Sequence, residues 1–396
     1  MTVRRAVDPD IVKTRSELPG LLTFQGLAWN IPAAEHATVF VHPGRNEVEV
    51  LKQFETRYDG SLLRRPLIAE RDGTCAMPGR AGATPTVGRM SRPPLRQLLA
   101  EARSGVLLFS ITPPRSHATE DRISEIAEVT LKRLGTLDVD GLILYDIDDE
   151  SDRNPDERPF PYLPTLDPAR YYSRHLAAGW REPVIIYRCV GKYPEDELRG
   201  WLAGAGDQVL TVFVGASSGG KPVHTGLRRA QELRNEVRPD LPLGAVVIGE
   251  RRDEHLRMLA KQERGAGFFV TQVIYHLNDT KNLLSDYYLE CRDRGVDPRT
   301  VIFTLSLCGS LKTLEFVRWL GVDVPRWLEN AIRHSPDPLA ESYRQCMLIA
   351  RDLIDFCEHL GIPYGFNIES VSIRKAEIEA TTELATEIAA LLGRQR

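Results

Sequence analysis

From residue 105 to the end of the chain, short apolar runs alternate with amphipathic stretches eight times over. The runs are GVLLFSI (105–111), DGLILYDI (140–147), PVIIYRCV (183–190), QVLTVFVGA (208–216), LGAVVIGE (243–250), GFFVTQVIY (267–275), RTVIFTLSL (299–307) and IPYGFNIES (362–370). They are nearly continuous and rich in β-branched and aromatic residues, as strands buried on both faces must be, which points to a parallel sheet. Between them lie helical stretches such as SEIAEVTLKRL, PEDELRGWLAGA and LLSDYYLECRDRG. Eight strands with helical connections predict an α/β fold, a (β/α)8 TIM barrel with an N-terminal extension. The competing arrangement is a doubly wound open sheet. No Gly-x-Gly-x-x-Gly follows the first run, which counts against its dinucleotide-binding version.

The pattern divides the chain into an N-terminal extension (1–70), a linker (71–94) and the barrel (95–396). The extension holds strand-like runs at Thr38–Val41 and Val48–Leu51 and is too small and polar to bury much core alone. It is expected to lean on the barrel or on a second copy of the chain, so a homo-oligomer is one expectation. The linker is dense in Gly, Pro, Arg and Thr and has no apolar periodicity.

Composition narrows the classes. The chain has 396 residues, 42% hydrophobic and 27% charged, enough for a large core and a soluble surface. A formal net charge of -4 gives no electrostatic footprint for nucleic acid. No run approaches the ~20 apolar residues of a membrane helix, and the first residues lack a signal-peptide core. The six cysteines (Cys75, Cys189, Cys291, Cys308, Cys346, Cys357) form no C-x-x-C pair or tight Cys/His cluster. That pattern argues for reduced thiols in the cytoplasm, and against zinc or a disulfide framework.

In a barrel the strand C-termini and the loops after them form the site. Here they offer Tyr145, Asp146, Asp148, Asp149 and Glu150 after strand two, Arg188 on strand three and Ser217 and Ser218 after strand four. Glu250 ends strand five, Gln272, Tyr275 and His276 lie on and after strand six, and Asn367, Glu369 and Ser372 lie on and after strand eight. Alternation lets only one of Tyr145 and Asp146 face inward. If Gln272 faces the mouth, Val270 points in below it and Ile274 above it. The acidic loop DIDDESDRNPDERPFPYLP reads either as a solvated loop or as a lid carrying an acid, Asp146 or Asp148, whose pKa burial would raise. Clustered carboxylates without partners from another strand are read as solvated, so no metal is expected. Gly219-Gly220-Lys221 is read as a turn rather than a phosphate loop, since Pro222 follows the lysine. Cys308 is read as a small buried residue and His276 as a candidate for proton transfer.

Several phrases resemble the methylenetetrahydrofolate reductase family. FSITPPR (Phe109–Arg115) is similar to its strand-one motif, GAGFFVTQ (Gly265–Gln272) to its strand-six motif, and VDVPRW (Val322–Trp327) to a later turn. Leu353–Phe366 resembles its last helix and strand. Order and spacing agree over about 290 residues, from Gly105 onward. The extension and linker have no counterpart. The resemblance implies a reduced folate bound at the mouth, with Gln272 on the pterin edge, where a carboxamide offers both donors and an acceptor. It also marks departures. Ser110 stands where the family has its proton-donating glutamate, Ala216 where it has an aspartate beside the flavin, and Ile186 nearest its strand-three histidine. These departures lead to an expectation of weak or no FAD retention.

The resulting expectation is a folate one-carbon enzyme that transfers a methyl or methylene group to a second small substrate without flavin. Asp146, Asp148, Glu250 and His276 are its catalytic candidates. Gln272, Arg188, Tyr275, Ser110 and Asn367 are its substrate-binding candidates, with Tyr275, Phe303 and Phe366 available for ring stacking. The alternatives are an FAD-dependent reductase, using NAD(P)H, with a relocated acid, and a non-catalytic folate-binding partner subunit. The nicotinamide preference and the second substrate are not legible.

Overall fold

The computed structural model describes residues 2–5, 21–24, 27–30, 38–41, 92–149, 154, 156–215, 222–372 and 374–394. The chain forms two compact units, Met1–Gly88 and Arg89–Arg396. In the first, β1 (Thr2–Arg5), β2 (Leu21–Phe24), β3 (Leu27–Asn30) and β4 (Thr38–Val41) form a sheet in the order β1-β4-β3-β2. β1 and β4 run parallel and the other neighbours antiparallel. The expected run Val48–Leu51 and most of the linker lie outside the described residues, as do Glu150, Ala216, Ser217, Ser218 and the Gly219-Gly220-Lys221 turn.

The second unit is a closed barrel of eight parallel strands, as the sequence pattern predicts. The strands are β5 (Val106–Ile111), β6 (Gly141–Leu144), β7 (Val184–Cys189), β8 (Val209–Val214), β9 (Leu243–Val247), β10 (Ala266–Val273), β11 (Thr300–Ser306) and β12 (Tyr364–Glu369). Each falls within or against one of the eight apolar runs. β12 pairs with β5 to close the ring.

Alternation along the strands sorts the side chains into two layers. Leu107, Phe109, Ile186, Phe269, Phe303, Phe366 and Ile368 pack outward against the helices. Leu108, Ile143, Ile185, Tyr187, Val212, Phe268, Val270 and Ile302 fill the lumen. The filling is tight. A Cβ on Gly244 would lie 2.4 Å from the Phe268 ring, and one on Gly365 would lie 2.6 Å from the Val106 carbonyl oxygen. Helix α1 (Leu95–Ala100) plugs the N-terminal end by placing Leu95, Leu98 and Leu99 into the lumen cluster.

The outer helices carry their own start and stop signals. Thr119 caps α2 (Glu120–Leu134), with Glu120 and Asp121 in its first turn and Lys132 and Arg133 in its last, both signs suited to the helix dipole. Below the barrel, Asp140 is almost fully buried and accepts from the Leu107 amide at 2.8 Å. Arg92 Nε lies 2.6 Å and Arg394 Nη2 2.5 Å from its two oxygens, so residues about 300 positions apart meet on one carboxylate. No helix among the described residues is long and apolar enough to cross a membrane.

Candidate functional site

The upper lumen changes from apolar to polar where β11, β12, β5 and β6 end. Ser110 Oγ donates to Asn367 Oδ1 at 2.5 Å and lies 3.2 Å from the Tyr145 hydroxyl. Asn367 Nδ2 donates to the Tyr145 hydroxyl at 3.1 Å and lies 3.3 Å from Thr304 Oγ1. The Tyr145 hydroxyl in turn donates to Glu369 Oε2. These side chains share the lumen parity of Leu108, Ile143, Ile302 and Gly365, which is why four strands deliver them to one place. The Tyr187 ring meets Tyr145 edge-on at 4.9 Å and floors the cluster. Ser306, beside Glu369 in strand register, has a buried hydroxyl with no hydrogen-bond partner.

Glu369 is the unusual member. It is enclosed by protein yet keeps an accessible edge at its strand end. Burial raises its pKa from 4.5 to about 7, and the Tyr145 hydrogen bond pulls the other way. The hydroxyls of Tyr145, Tyr187 and Tyr275 are all pushed up from 10, by burial first and by Glu369 among the further causes.

The described residues among 154–166, which follow β6, pack against the helix after β11 and the segment after β5. Trp319 Nε1 donates to the Asp156 carbonyl at 2.9 Å and Asn154 Nδ2 to the Trp319 carbonyl at 3.2 Å. Phe160 meets Phe316 edge-on at 5.2 Å. The Arg158 guanidinium lies 5.7, 5.1 and 5.1 Å from the rings of Tyr162, Phe316 and Trp319. The loop then returns to the segment after β5, where Ser116 N donates to Pro164 O at 2.9 Å and Leu166 N to Pro114 O at 2.8 Å. Phe316 and Trp319 belong to α3 (Leu311–Trp319), which follows β11. These contacts tie the segment after β6 to the helix after β11 and to the segment after β5.

The structure redistributes the sequence candidates. Asp146 is buried but points away from the lumen, as the parity argument requires once Tyr145 faces in. Its carboxylate lies 2.6 Å from Lys192 Nζ and accepts from Cys189 N and the Tyr193 hydroxyl, each at 2.8 Å. It is committed to this network, so the expected acid is not found there. Asp148 accepts from Asp149 N at 2.8 Å within the loop.

Arg188 also points out of the lumen. It pairs with Asp167 and lies between the Tyr193 and Trp201 rings, 4.8 and 4.4 Å from their centroids. Burial would raise the Asp167 carboxyl, but Arg188 and further hydrogen bonds bring it below its ordinary value. The inward residue of strand three is Tyr187, a site member that parity from Ile185 could have found.

On the far side of the mouth, His276 Nδ1 lies 3.0 Å from Asp279 Oδ2 and Nε2 lies 3.9 Å from Asp323 Oδ2. The pKa of Glu250 is raised first by burial, then by Asp323 and Asp279. The three groups His276, Asp279 and Asp323 have metal-compatible spacing, but Asp323 is exposed and two acids around one imidazole stand without an ion in many proteins. Gln272 is partly exposed, and its Nε2 reaches the Leu320 carbonyl at 3.4 Å, a weak tether that leaves most of the carboxamide uncommitted.

The strand register shifts between Val270 and Val273. Val270 points into the lumen as expected, but this irregularity sends Ile274 outward into the helix layer. Tyr275 is fully buried and donates to the Ser306 carbonyl at 2.7 Å. Phe303 and Phe366 lie in the helix-facing layer, so none of the three aromatics is free to stack on a ligand. Cys308 is buried, its thiol pushed up to about 12 by burial, which makes it inert as a nucleophile.

No family model matches the chain, and no curated protein matches it. Among solved structures, an uncharacterized protein from Clostridium thermocellum is 41% identical, with a TM-score of 0.67 over 75% of this chain and 99% of that one. That protein is described as binding two copies of 5-methyl-5,6,7,8-tetrahydrofolic acid. EDTA monooxygenase from Chelativorans sp. BNC1 is 11% identical over 74% of this chain and 95% of its own, with a TM-score of 0.45. Dihydropteroate synthase from Xanthomonas albilineans is 14% identical over 73% and 93%, with a TM-score of 0.34. Neither of these two bears on what the chain does.

Proposed function

The chain belongs to the family of the Clostridium thermocellum barrel, and from that premise we propose that it binds a reduced folate of the 5-methyltetrahydrofolate kind at its barrel mouth and acts on the one-carbon group. The observation that carries this reading is the relative's folate binding, at 41% identity across nearly its whole length. The mouth suits the ligand. Gln272 holds an uncommitted carboxamide at one side, and the Ser110, Tyr145, Asn367 and Glu369 cluster lies across the opening. A pterin needs an apolar slot with a few aimed polar groups, and the Tyr145 and Tyr187 rings above the packed lumen supply the apolar part.

We read the chain as a divergent relative of the methylenetetrahydrofolate reductases. In sequence, Ile186 and Ala216 stand nearest that family's strand-three histidine and its aspartate beside the flavin. Ile186, nearest the family's strand-three histidine, is fully buried among helix-facing apolar side chains and offers no hydrogen bond. The chemistry we favour is transfer of a methyl or methylene unit between folate and a second small substrate.

Calorimetric titration of 5-methyltetrahydrofolate into the purified full chain tests the reading. Saturable heat with micromolar affinity is expected. An absence of binding at high micromolar folate would reduce the likeness to a shared scaffold. A stoichiometric flavin spectrum in the purified protein would instead favour the reductase alternative.

A further inference from the structure

We propose that the group at the far side of the mouth, His276 with Asp279, Asp323 and Glu250, binds one divalent transition-metal cation. Spacing alone does not make it a site. The fold and the charge balance supply the rest. The donors come from three separate connections of the barrel. Glu250 follows β9, His276 and Asp279 open the helix Leu277–Arg294 after β10, and Asp323 follows α3. One donor atom from each of His276, Asp279 and Asp323 lies within 4.8 Å of the others. Small side-chain rotations would bring each to the ~2.0–2.2 Å at which nitrogen and carboxylate oxygen ligate such a cation.

Two observations distinguish this group from a solvated cluster. The first is the state of the imidazole. His276 Nδ1 is closed off from solvent and has no hydrogen-bond partner, although Asp279 Oδ2 stands 3.0 Å away. A ring nitrogen that faces a carboxylate without a hydrogen bond between them is the arrangement that two ligands of one cation adopt. The second is missing countercharge. Asp140, Asp146, Asp167 and Glu254 each meet a Lys or Arg. Among the described residues, no Lys or Arg pairs with Glu250, Asp279 or Asp323, and the two aspartates share only the imidazole. Glu250 responds to Asp323 and Asp279 as raising charges and to His276 as a lowering one, so it stands within electrostatic reach of all three. Carboxylates gathered away from bulk water are paired or coordinate metals.

One nitrogen with two or three carboxylate oxygens suits manganese, iron or zinc, whereas magnesium and calcium take oxygen ligands. Three or four protein donors leave a coordination position for water or for a lone-pair donor of a second substrate. Gln272 lies on β10 just ahead of His276 and reaches the Leu320 carbonyl just ahead of Asp323. The cation would therefore border the glutamine that we place against folate, but metal binding itself does not rest on that reading.

The test uses Co2+ as a spectroscopic probe. The full chain is stripped with a chelator and titrated with Co2+ in the absence of folate, with visible absorbance and calorimetry as readouts. One equivalent is expected to bind with d–d absorption, to be displaced by Zn2+ and to be unaffected by an equal concentration of Mg2+. His276→Ala and Asp323→Asn should each weaken binding at least about tenfold, the loss that even a residue behind a metal ligand causes. Asp323 is exposed, so its variant keeps the test valid should His276→Ala fail to fold. His117→Ala, at an exposed histidine outside the group, should bind as wild type does. Less than stoichiometric uptake at high micromolar Co2+ would overturn the proposal. So would uptake that neither His276→Ala nor Asp323→Asn weakens, since the cation would then sit elsewhere. Co2+ binding by a chain that takes no folate would sink the functional reading and leave this site standing, and folate binding without Co2+ uptake would do the reverse.

Discussion

Ser110 on the first barrel strand and Asn367 on the last are joined by a 2.5 Å hydrogen bond across the seam where the barrel closes. Both side chains are nearly or fully buried, so the bond is shielded from water. Ser110→Ala leaves Asn367 Oδ1 without this donor, and an unsatisfied buried acceptor costs about 1–3 kcal/mol. Guanidinium denaturation should show the loss as a lower midpoint at unchanged slope. A variant as stable as wild type would mean that water replaces the serine.

Stability should also depend on pH through Glu369. Its folded pKa of about 7 lies above the ordinary 4.5, so the folded state holds this proton more tightly than the unfolded chain. The stabilisation is fully present below about pH 4.5 and is lost as pH rises toward 7. At about 1.4 kcal/mol per unit the upper bound is roughly 3 kcal/mol, less because one edge reaches solvent. Glu369→Gln removes the titration. Relative to wild type the variant should therefore gain stability between pH 5 and pH 8. Parallel curves across that range would argue that the carboxyl is not held near neutrality.

Gln272→Ala should weaken folate binding. Losing the carboxamide leaves pterin groups unpaired, at about 1–3 kcal/mol, or roughly 5- to 150-fold in affinity. Because the side chain has only one weak protein tether, thermal stability should barely change. An unchanged dissociation constant would remove Gln272 from the ligand's contacts.

Gly244→Ala tests the lumen packing. The new methyl would sit 2.4 Å from the Phe268 ring, and overpacking of this kind typically costs about 1–3 kcal/mol. The melting temperature reads it directly. Phe268→Leu in the same chain should recover part of the loss if the ring is what the methyl meets.

The fold was legible because each buried parallel strand writes its own apolar run, from Val106–Ile111 to Tyr364–Glu369. The site was legible only where strand parity could be followed. Tyr145 and Asp146 divide between inside and outside as alternation demands. Arg188 points outward, as Ile185 and Tyr187 on the inward face of its strand require. Ile274 lies in the helix layer because a register shift between Val270 and Val273 breaks the parity, and nothing in GFFVTQVIY announces it. Glu369 stood among the strand-end residues, but its raised pKa comes from burial in an enclosed position that only ring closure assembles.

The carboxylate of Asp140 makes the two ends of the barrel unit depend on each other. It is gripped by Arg92 and Arg394, which enter and leave the barrel unit at opposite ends of the sequence. One buried carboxylate thus ties the two ends of the barrel unit together. In the folded protein, loss of Arg394 would leave the buried carboxylate to Arg92 and the Leu107 amide, and removing one partner of a buried pair typically costs about 3–5 kcal/mol. A fusion that displaces Arg394 should therefore lower stability although it touches nothing at the barrel mouth.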